Sequence, residues 1–275
     1  ESCISMAESS PFIMARCISA ISGTRWGIGG MPCPTSGSST RIAADRGLMV
    51  DMHCDETDDP MSRHVETLAA QTVRFGLQGR VAGSHLTSMH SMDNYYVSKL
   101  LPLMAEAQMA AIPNPLINMM LQGRHDTYPK RRGLTRIPQM MEMGIPVGLG
   151  QDCVMDPWYS MGTGDLLDVA HMAGHATQLG SIEDKRAMFD AVTVNSARIM
   201  GLEGYGLDVG CHADMVLLQA RDTAEAIRLR PNRLKVIRRG KVIAETPVER
   251  SRLSLRGRPE VLNPAGYAPR IPGEY

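Results

Sequence analysis

The chain has 275 residues and balances 29 acidic against 29 basic side chains, which argues against a polyanion such as nucleic acid as its partner. Its length can bury a large core, and the lack of an apolar run of about eighteen residues, or of a basic segment followed by an apolar one, predicts no membrane span and no signal peptide. The six cysteines are scattered without a CxxC pair, so we expect no disulfide framework and a reduced, cytoplasmic location.

The first forty residues differ from the rest of the chain in their hydrophobic pattern. Residues 1–40 show no helical or strand period, and a run rich in Gly, Pro, Ser and Thr over 25–40 interrupts any regular element. We therefore expect residues 1–40 to be an atypical segment that is either disordered or not native to the protein.

From residue 41 onward, apolar strands alternate with amphipathic helices. The strands are predicted at 47–53, 80–85, 110–114 and 145–152, and the helices near 62–75, 93–108, 135–143, 164–179, 183–191 and 195–201. This alternation predicts parallel strands with helices outside, as in an α/β barrel or a doubly wound sheet. The four predicted strands are half of the eight that close a (β/α)8 barrel.

Beyond residue 206 the pattern changes. Antiparallel strands are predicted within 207–218 and 234–243, with a tight turn at Arg239-Gly240. We therefore expect a partial barrel over 41–203, a small β domain over 204–250 and a tail over 251–275.

Three of the predicted strands end in side chains that can bind a metal or move a proton. His53 and Glu56 follow the first strand, His85 ends the second and Asp152 ends the fourth. The carboxyl ends of parallel strands converge on one site, where His and Asp can hold a divalent ion such as zinc or iron. A carboxylate three residues past a ligand, as Glu56 is past His53, can carry protons without binding the ion.

Longer segments surround these positions. In chain order they are HCDETDD at 53–59, GSHLTSMHS at 83–91, NPLIN at 114–118, LQGR at 121–124, DTYPKRRG at 126–133 and DCVMDPWY at 152–159. Together they resemble the cytosine deaminases of the amidohydrolase superfamily, over about residues 43 to 245. The resemblance implies a metal-dependent (β/α)8 barrel of amidohydrolase type, represented here by strands 5–8 and incomplete at its N-terminus, beside a small C-terminal β domain.

The resemblance also implies roles for four side chains. His53 and Asp152 would bind one divalent metal ion, zinc or iron. Glu56 would shuttle protons, His85 would lie near the attacking water, and Asp152 would help to activate it. The implied activity is hydrolytic deamination of a free cyclic amidine or nucleobase, of the cytosine-to-uracil type, by a metal-activated water. The partner would then be a small nucleobase-like substrate.

Two departures from the family pattern leave alternatives open. No two of the eight histidines are spaced i, i+2, so the His-x-His pair of the family's first strand is missing. An inactive truncated remnant, or an assembly partner without a complete metal site, is the competing interpretation. Cys153 stands where the family has a second Asp, and a thiol cannot replace a carboxylate as an acceptor. Isocytosine and creatinine therefore stay open as substrates, with Cys153 and Trp158 beside the pocket.

Two further expectations concern neighbouring groups and assembly. We expect His64 to be a solvated residue on a helix, and His90 to hydrogen-bond the loop after the second predicted strand. Strands 5 and 8 would leave open sheet edges unless another copy or a missing segment paired with them, so we expect poor solubility or association, as a homo-oligomer.

Overall fold

The structure, a computed structural model, describes residues 12–16, 34–249, 251–258 and 261–262. Its strands are β1 (Phe12–Arg16), β2 (Met49–Cys54), β3 (Val81–His85), β4 (Ala110–Ile112), β5 (Met215–Leu218), β6 (Arg233–Arg238), β7 (Lys241–Glu245), β8 (Ser251–Arg252) and β9 (Val261–Leu262). Its helices are α1 (Pro34–Arg46), α2 (His64–Arg74), α3 (Asn94–Glu106), α4 (Pro115–Leu121), α5 (Ile137–Glu142), α6 (Leu166–Thr177), α7 (Ile182–Ala191), α8 (Val194–Ile199) and α9 (Thr223–Leu229), with a 3-10 turn at Thr87–His90.

The sheet that carries the candidate site is parallel, in the order β1-β2-β3-β4. Its register places His53 opposite Ser84 and Cys54 opposite His85, so β2 and β3 end at the same edge. Alternate residues of β2 are buried, whereas every residue of β3 is buried. Burial of this kind is typical of parallel strands covered by helices, and the predicted alternation of strand and helix is confirmed.

The segment predicted as the fourth strand, 145–152, is not a regular strand. It joins the sheet through one parallel bridge between Val147 and Ala111 of β4. The Ala111 N–H donates to Pro146 O at 2.9 Å, and the Gly148 N–H donates to Ala111 O at 2.9 Å. The Gly150 N–H also donates to Pro113 O at 3.0 Å, but Pro113 and Pro146 have no N–H to donate and glycine weakens a strand, so the pairing stays irregular. The prediction of a full strand was therefore wrong, although the segment does lie beside β4.

Two elements begin within the segment 1–40, where no period predicted them. Strand β1 pairs in parallel with β2 along its whole length, and helix α1 begins at Pro34. The sheet therefore has one strand on the β2 side that the sequence did not reveal. The other residues of 1–40 lie outside the described residues. The expectation that they are disordered or not native to the protein therefore stays a prediction.

Methionine fills much of the core of this part of the chain. The fully buried large side chains include Met52, Met89, Met104, Met109, Met140 and Met188. An unbranched, flexible side chain can fill irregular gaps between a sheet and its helices. No helix in the described ranges is both long and apolar enough to cross a membrane.

The chain divides into two compact units between Leu202 and Glu203. In the second unit, β5, β6 and β7 form an antiparallel sheet. Strands β6 and β7 are joined at Arg239 and Gly240, whose φ angles of 50° and 74° suit a type I′ turn, so the predicted turn is confirmed.

Helix α9 was not predicted. The predicted tail contains the short antiparallel pair β8-β9, and residues 263–275 lie outside the described residues.

Candidate metal centre and active site

Asp55 is fully buried and anchors the first turn of α2. Its carboxylate accepts hydrogen bonds from the backbone N–H groups of His64 at 3.0 Å and Val65 at 2.8 Å, and from Ser62 Oγ at 2.8 Å. The His64 Nδ1 atom lies 2.8 Å from the same carboxylate, so the expectation of a solvated His64 was wrong. Burial raises the pKa of Asp55, but the hydrogen bonds outweigh burial and hold the pKa below its ordinary value.

His53, His85 and Asp152 meet at the carboxyl end of the parallel sheet. Asp152 Oδ1 lies 3.6 Å from His53 Nε2 and 3.9 Å from His85 Nε2. The two imidazole rings are 4.8 Å apart between centroids. The structure thus brings together three side chains from strand ends that are distant in sequence, as the convergence of parallel strands predicts.

The same three side chains suit a divalent metal ion. One ligand atom from each of His53, His85 and Asp152 lies within 4.8 Å of the others. Two imidazoles and one carboxylate are the donor set of many zinc and iron sites. His85 and Asp152 also adopt left-handed backbone angles, with φ of 69° and 60°. Backbone strain of this kind persists where the surrounding structure enforces it, often at functional sites.

The carboxylate of Asp152 is ionised at neutral pH. The polar contact with His53 lowers its pKa, burial opposes that effect, and the electrostatic interaction with His85 lowers the pKa again, with the net result below the ordinary value. An ionised oxygen of this kind can bind a metal or accept a proton.

Glu56 reaches this cluster through His85. Its Oε1 atom lies 3.6 Å from His85 Nδ1, and its side chain is largely buried. A carboxylate at the margin of a metal site can move protons between water and a substrate. The role of Glu56 as a proton shuttle stays a prediction.

Two buried asparagines contact His85, and no role was predicted for either. Asn118 Nδ2 lies 2.8 Å from His85 Nδ1, and Asn114 Nδ2 lies 3.4 Å from the same atom. Both residues follow β4, and Asn114 is the last residue of the strand predicted at 110–114. Their position after a parallel strand was the signal that could have identified them.

Cys153 and Trp158 occupy the loop that follows Asp152. The Cys153 thiol donates to Asp152 Oδ2 at 3.4 Å. Burial, followed by the hydrogen bond with Asp156, raises the pKa of Cys153 to about 12, so the thiol is neutral. Trp158 is 56% exposed, and its backbone N–H donates to Asp156 Oδ1 at 3.0 Å. A substrate contact by either side chain stays a prediction.

Comparisons with known proteins agree with this geometry. The model of the amidohydrolase family matches residues 38–246. The pterin deaminase of Rhizobium rhizogenes is 33% identical over 205 residues, which are 74% of this chain and 46% of that protein. The N-isopropylammelide isopropyl amidohydrolase of a Pseudomonas species is 25% identical over 209 residues, 76% of this chain and 49% of that protein. This chain spans about half the length of these curated relatives.

A solved structure gives the same result. The 5-methylcytosine deaminase from Klebsiella pneumoniae, liganded with 5-fluorocytosine, superposes with a TM-score of 0.77 at 39% identity, covering 80% of this chain and 53% of that one. The resemblance to cytosine-deaminase-like amidohydrolases and the metal-dependent barrel fold expected from it are confirmed. Because the family model matches well over half of its residues, the chain belongs to the amidohydrolase family.

Proposed function

We propose that this chain catalyses the hydrolytic deamination of a free cyclic amidine or nucleobase, of the cytosine-to-uracil type. One observation carries the proposal: His53, His85 and Asp152 meet at the carboxyl end of a parallel sheet with Glu56 beside them. The names of the similar proteins support the reaction class, since two of them are deaminases of 5-methylcytosine and of pterin.

We also propose that one divalent ion, zinc or iron, is held by His53 and Asp152, with His85 beside it. His53 and Asp152 fit such an ion by donor type, and one nitrogen of His85 lies within 4.8 Å of their ligand atoms. When bound, the ion would supply Lewis-acid chemistry that makes water a nucleophile near neutral pH.

The side chains of the chain itself would move the protons. The ionised Asp152 accepts a proton from the attacking water as the new C–O bond forms at the ring carbon that carries the amino group. Glu56 in its acid form delivers a proton to the ring nitrogen, and the proton held by Asp152 passes to the amino group. Ammonia leaves as the C–N bond breaks, and the new hydroxyl returns its proton to Glu56 as the carbonyl forms. Water and the amidine are thus converted to a carbonyl and ammonia, with no change of oxidation state.

The choice of substrate depends on the residue next to Asp152. The neutral thiol of Cys153 is a weak hydrogen-bond donor and gives no negative charge to the pocket. A site of this kind need not prefer cytosine over its isomers. Cytosine, 5-methylcytosine, isocytosine, creatinine and pterin therefore form the first substrate panel.

Metal analysis and ammonia release test the proposal. After reconstitution with zinc or with iron, we expect about one ion per chain and ammonia from at least one member of the panel. The variants Asp152→Ala and Glu56→Gln should each reduce kcat by about a hundredfold or more, the usual contribution of a proton-transferring residue. Absence of bound metal and of ammonia after reconstitution would contradict the proposal and favour the non-catalytic remnant or assembly partner.

A further inference from the structure

Two buried amide groups lie behind the imidazole of His85, on the side away from Asp152. Asn118 Nδ2 is 2.8 Å from His85 Nδ1, and Asn114 Nδ2 is 3.4 Å from it. All three residues are buried, with exposed fractions of 0% for His85 and Asn118 and 4% for Asn114. In such surroundings a donor must face an acceptor, because two facing donors would both lack a partner.

The orientation of the Asn118 amide is determined by its other end. Asn118 Oδ1 accepts the backbone N–H of Asn114 at 3.1 Å. A backbone N–H can only donate, so the atom that faces it must be the carbonyl oxygen, and the atom that faces His85 must be the NH2 group. The Asn118 N–H in turn donates to Asn114 O at 2.9 Å in the first turn of α4. Flipping the amide would leave the Asn114 N–H without its acceptor.

A competing group lies near the same nitrogen of His85. Glu56 Oε1 is 3.6 Å from Nδ1, and a carboxylate there would favour a proton on Nδ1. That separation is too long for a hydrogen bond, whereas the 2.8 Å contact with Asn118 has normal hydrogen-bond length. The Asn118 contact therefore decides which nitrogen of His85 carries the proton.

We propose that Asn118, oriented by the backbone of Asn114, holds neutral His85 in the tautomer with its proton on Nε2. A protonated nitrogen has no lone pair to give to a metal, so His85 acts as a hydrogen-bond donor at the site while His53 and Asp152 coordinate. The catalytic consequence rests on the proposed function. There, Asn118 is a positioning residue that makes His85 orient the attacking water and leaves Asp152 to accept its proton.

The tautomer can be measured without turnover. In the metal-free full chain at about pH 8, above the ordinary histidine pKa of about 6.5, long-range 1H–15N spectra distinguish protonated from unprotonated ring nitrogens. The His85 signals are assigned by their loss in His85→Gln. We expect Nε2 protonated and Nδ1 unprotonated in the wild-type chain. The opposite pattern would overturn the proposal, and this measurement needs no other variant to fold.

Asn118→Asp is the informative variant. An aspartate keeps an oxygen for the Asn114 N–H but presents a second oxygen, instead of an NH2 group, to His85 Nδ1. We expect the proton to appear on Nδ1. A His85 that keeps its wild-type pattern in this variant would overturn the proposal. The exposed Asn94→Asp on α3 is the matched control and should leave the His85 signals unchanged.

Zinc addition gives an independent readout. We expect zinc to shift the His53 signals while His85 Nε2 keeps its proton, and loss of that proton on zinc binding would overturn the proposal. In the reconstituted chain, Asn118→Asp should lower kcat by about tenfold to a hundredfold with zinc content unchanged. A chain with the expected tautomer but no ammonia release would contradict the proposed function alone, and an active chain with the opposite tautomer would contradict this inference alone.

Discussion

Asp55 and Glu56 are adjacent in sequence, but their carboxylates have different surroundings. Asp55 is buried among the N–H groups at the start of α2, whereas Glu56 lies next to His85. The sequence could show that a cluster of ionisable residues follows the strand. It could not show which of them faces the site, because the backbone at Asp55 turns through a left-handed conformation, with φ of 54°.

We predict that Asp55→Ala destabilises the chain strongly. The substitution removes the acceptor of two backbone N–H groups and the Ser62 hydroxyl, and it leaves His64 without its partner. The free energy of unfolding in urea should fall by about 3–5 kcal/mol. Asp45→Ala, at an exposed position on α1, is the control and should change it by less than about 0.5 kcal/mol. Unchanged stability together with loss of bound metal would instead assign Asp55 to the metal centre.

We predict that the stabilising effect of His64 depends on pH. The hydrogen bond with Asp55 raises the pKa of His64 above 6.5, although burial opposes the effect. A raised folded-state pKa means that the stabilisation is fully present below the unfolded-state pKa of about 6.5 and is lost as pH rises through the folded value. The difference in unfolding free energy between the wild type and His64→Gln should therefore decrease from pH 6 to pH 9. A difference that is constant over this range would contradict the prediction.

At the scale of the elements, Asp58 links three segments around the site. Its Oδ1 atom lies 2.8 Å from His90 Nε2, and its Oδ2 atom accepts the Gly123 N–H at 2.8 Å. Asp58 thereby connects the loop after β2, the 3-10 turn and the loop 122–133. His90 Nε2 also lies 3.3 Å from Ser91 Oγ, in the loop after the second predicted strand, so the expected hydrogen bond is confirmed, and Asp58, from the loop after the first, is a further partner.

We predict that Asp58→Ala loosens the loop 122–133. Removing the acceptor of the Gly123 N–H should increase hydrogen–deuterium exchange in this loop, while the Asp126–Arg131 ion pair within it remains. Asp59→Ala is the matched control, since the Asp59 carboxylate accepts the N–H of nearby Met61 and the Asp59 N–H donates to Thr57 Oγ1, both within the same loop. Exchange in 122–133 that is the same in both variants would contradict the prediction.

Local periodicity identified most of the elements but not their lengths. The predicted helix at 62–75 corresponds to α2, and the predicted strand at 80–85 corresponds to β3. Strand β4 has only three residues, and Val147 joins it through a single bridge. In such short segments, pairing with a neighbouring strand decides the conformation more than the segment's own composition does.

At the scale of the molecule, the parallel sheet has β1 at one end. Among the described residues, β1 pairs only with β2, and a strand at the end of a sheet can pair with another chain. We predict that the chain self-associates at micromolar concentration. Sedimentation velocity over a dilution series should show a species larger than a monomer, and a monomer at all concentrations would contradict the prediction.

The sequence by itself determined the alternation of strand and helix, the amidohydrolase family and the positions of His53, His85 and Asp152 at strand ends. These follow from local periodicity and from the order of residues along the chain. The tertiary structure alone decided that Asp55 anchors α2, that Asn118 faces His85 and that β1 pairs with β2. The physical reason is that each of these is a contact between two different elements or across a loop, formed only when the sheet and its helices pack and bring donors and acceptors together.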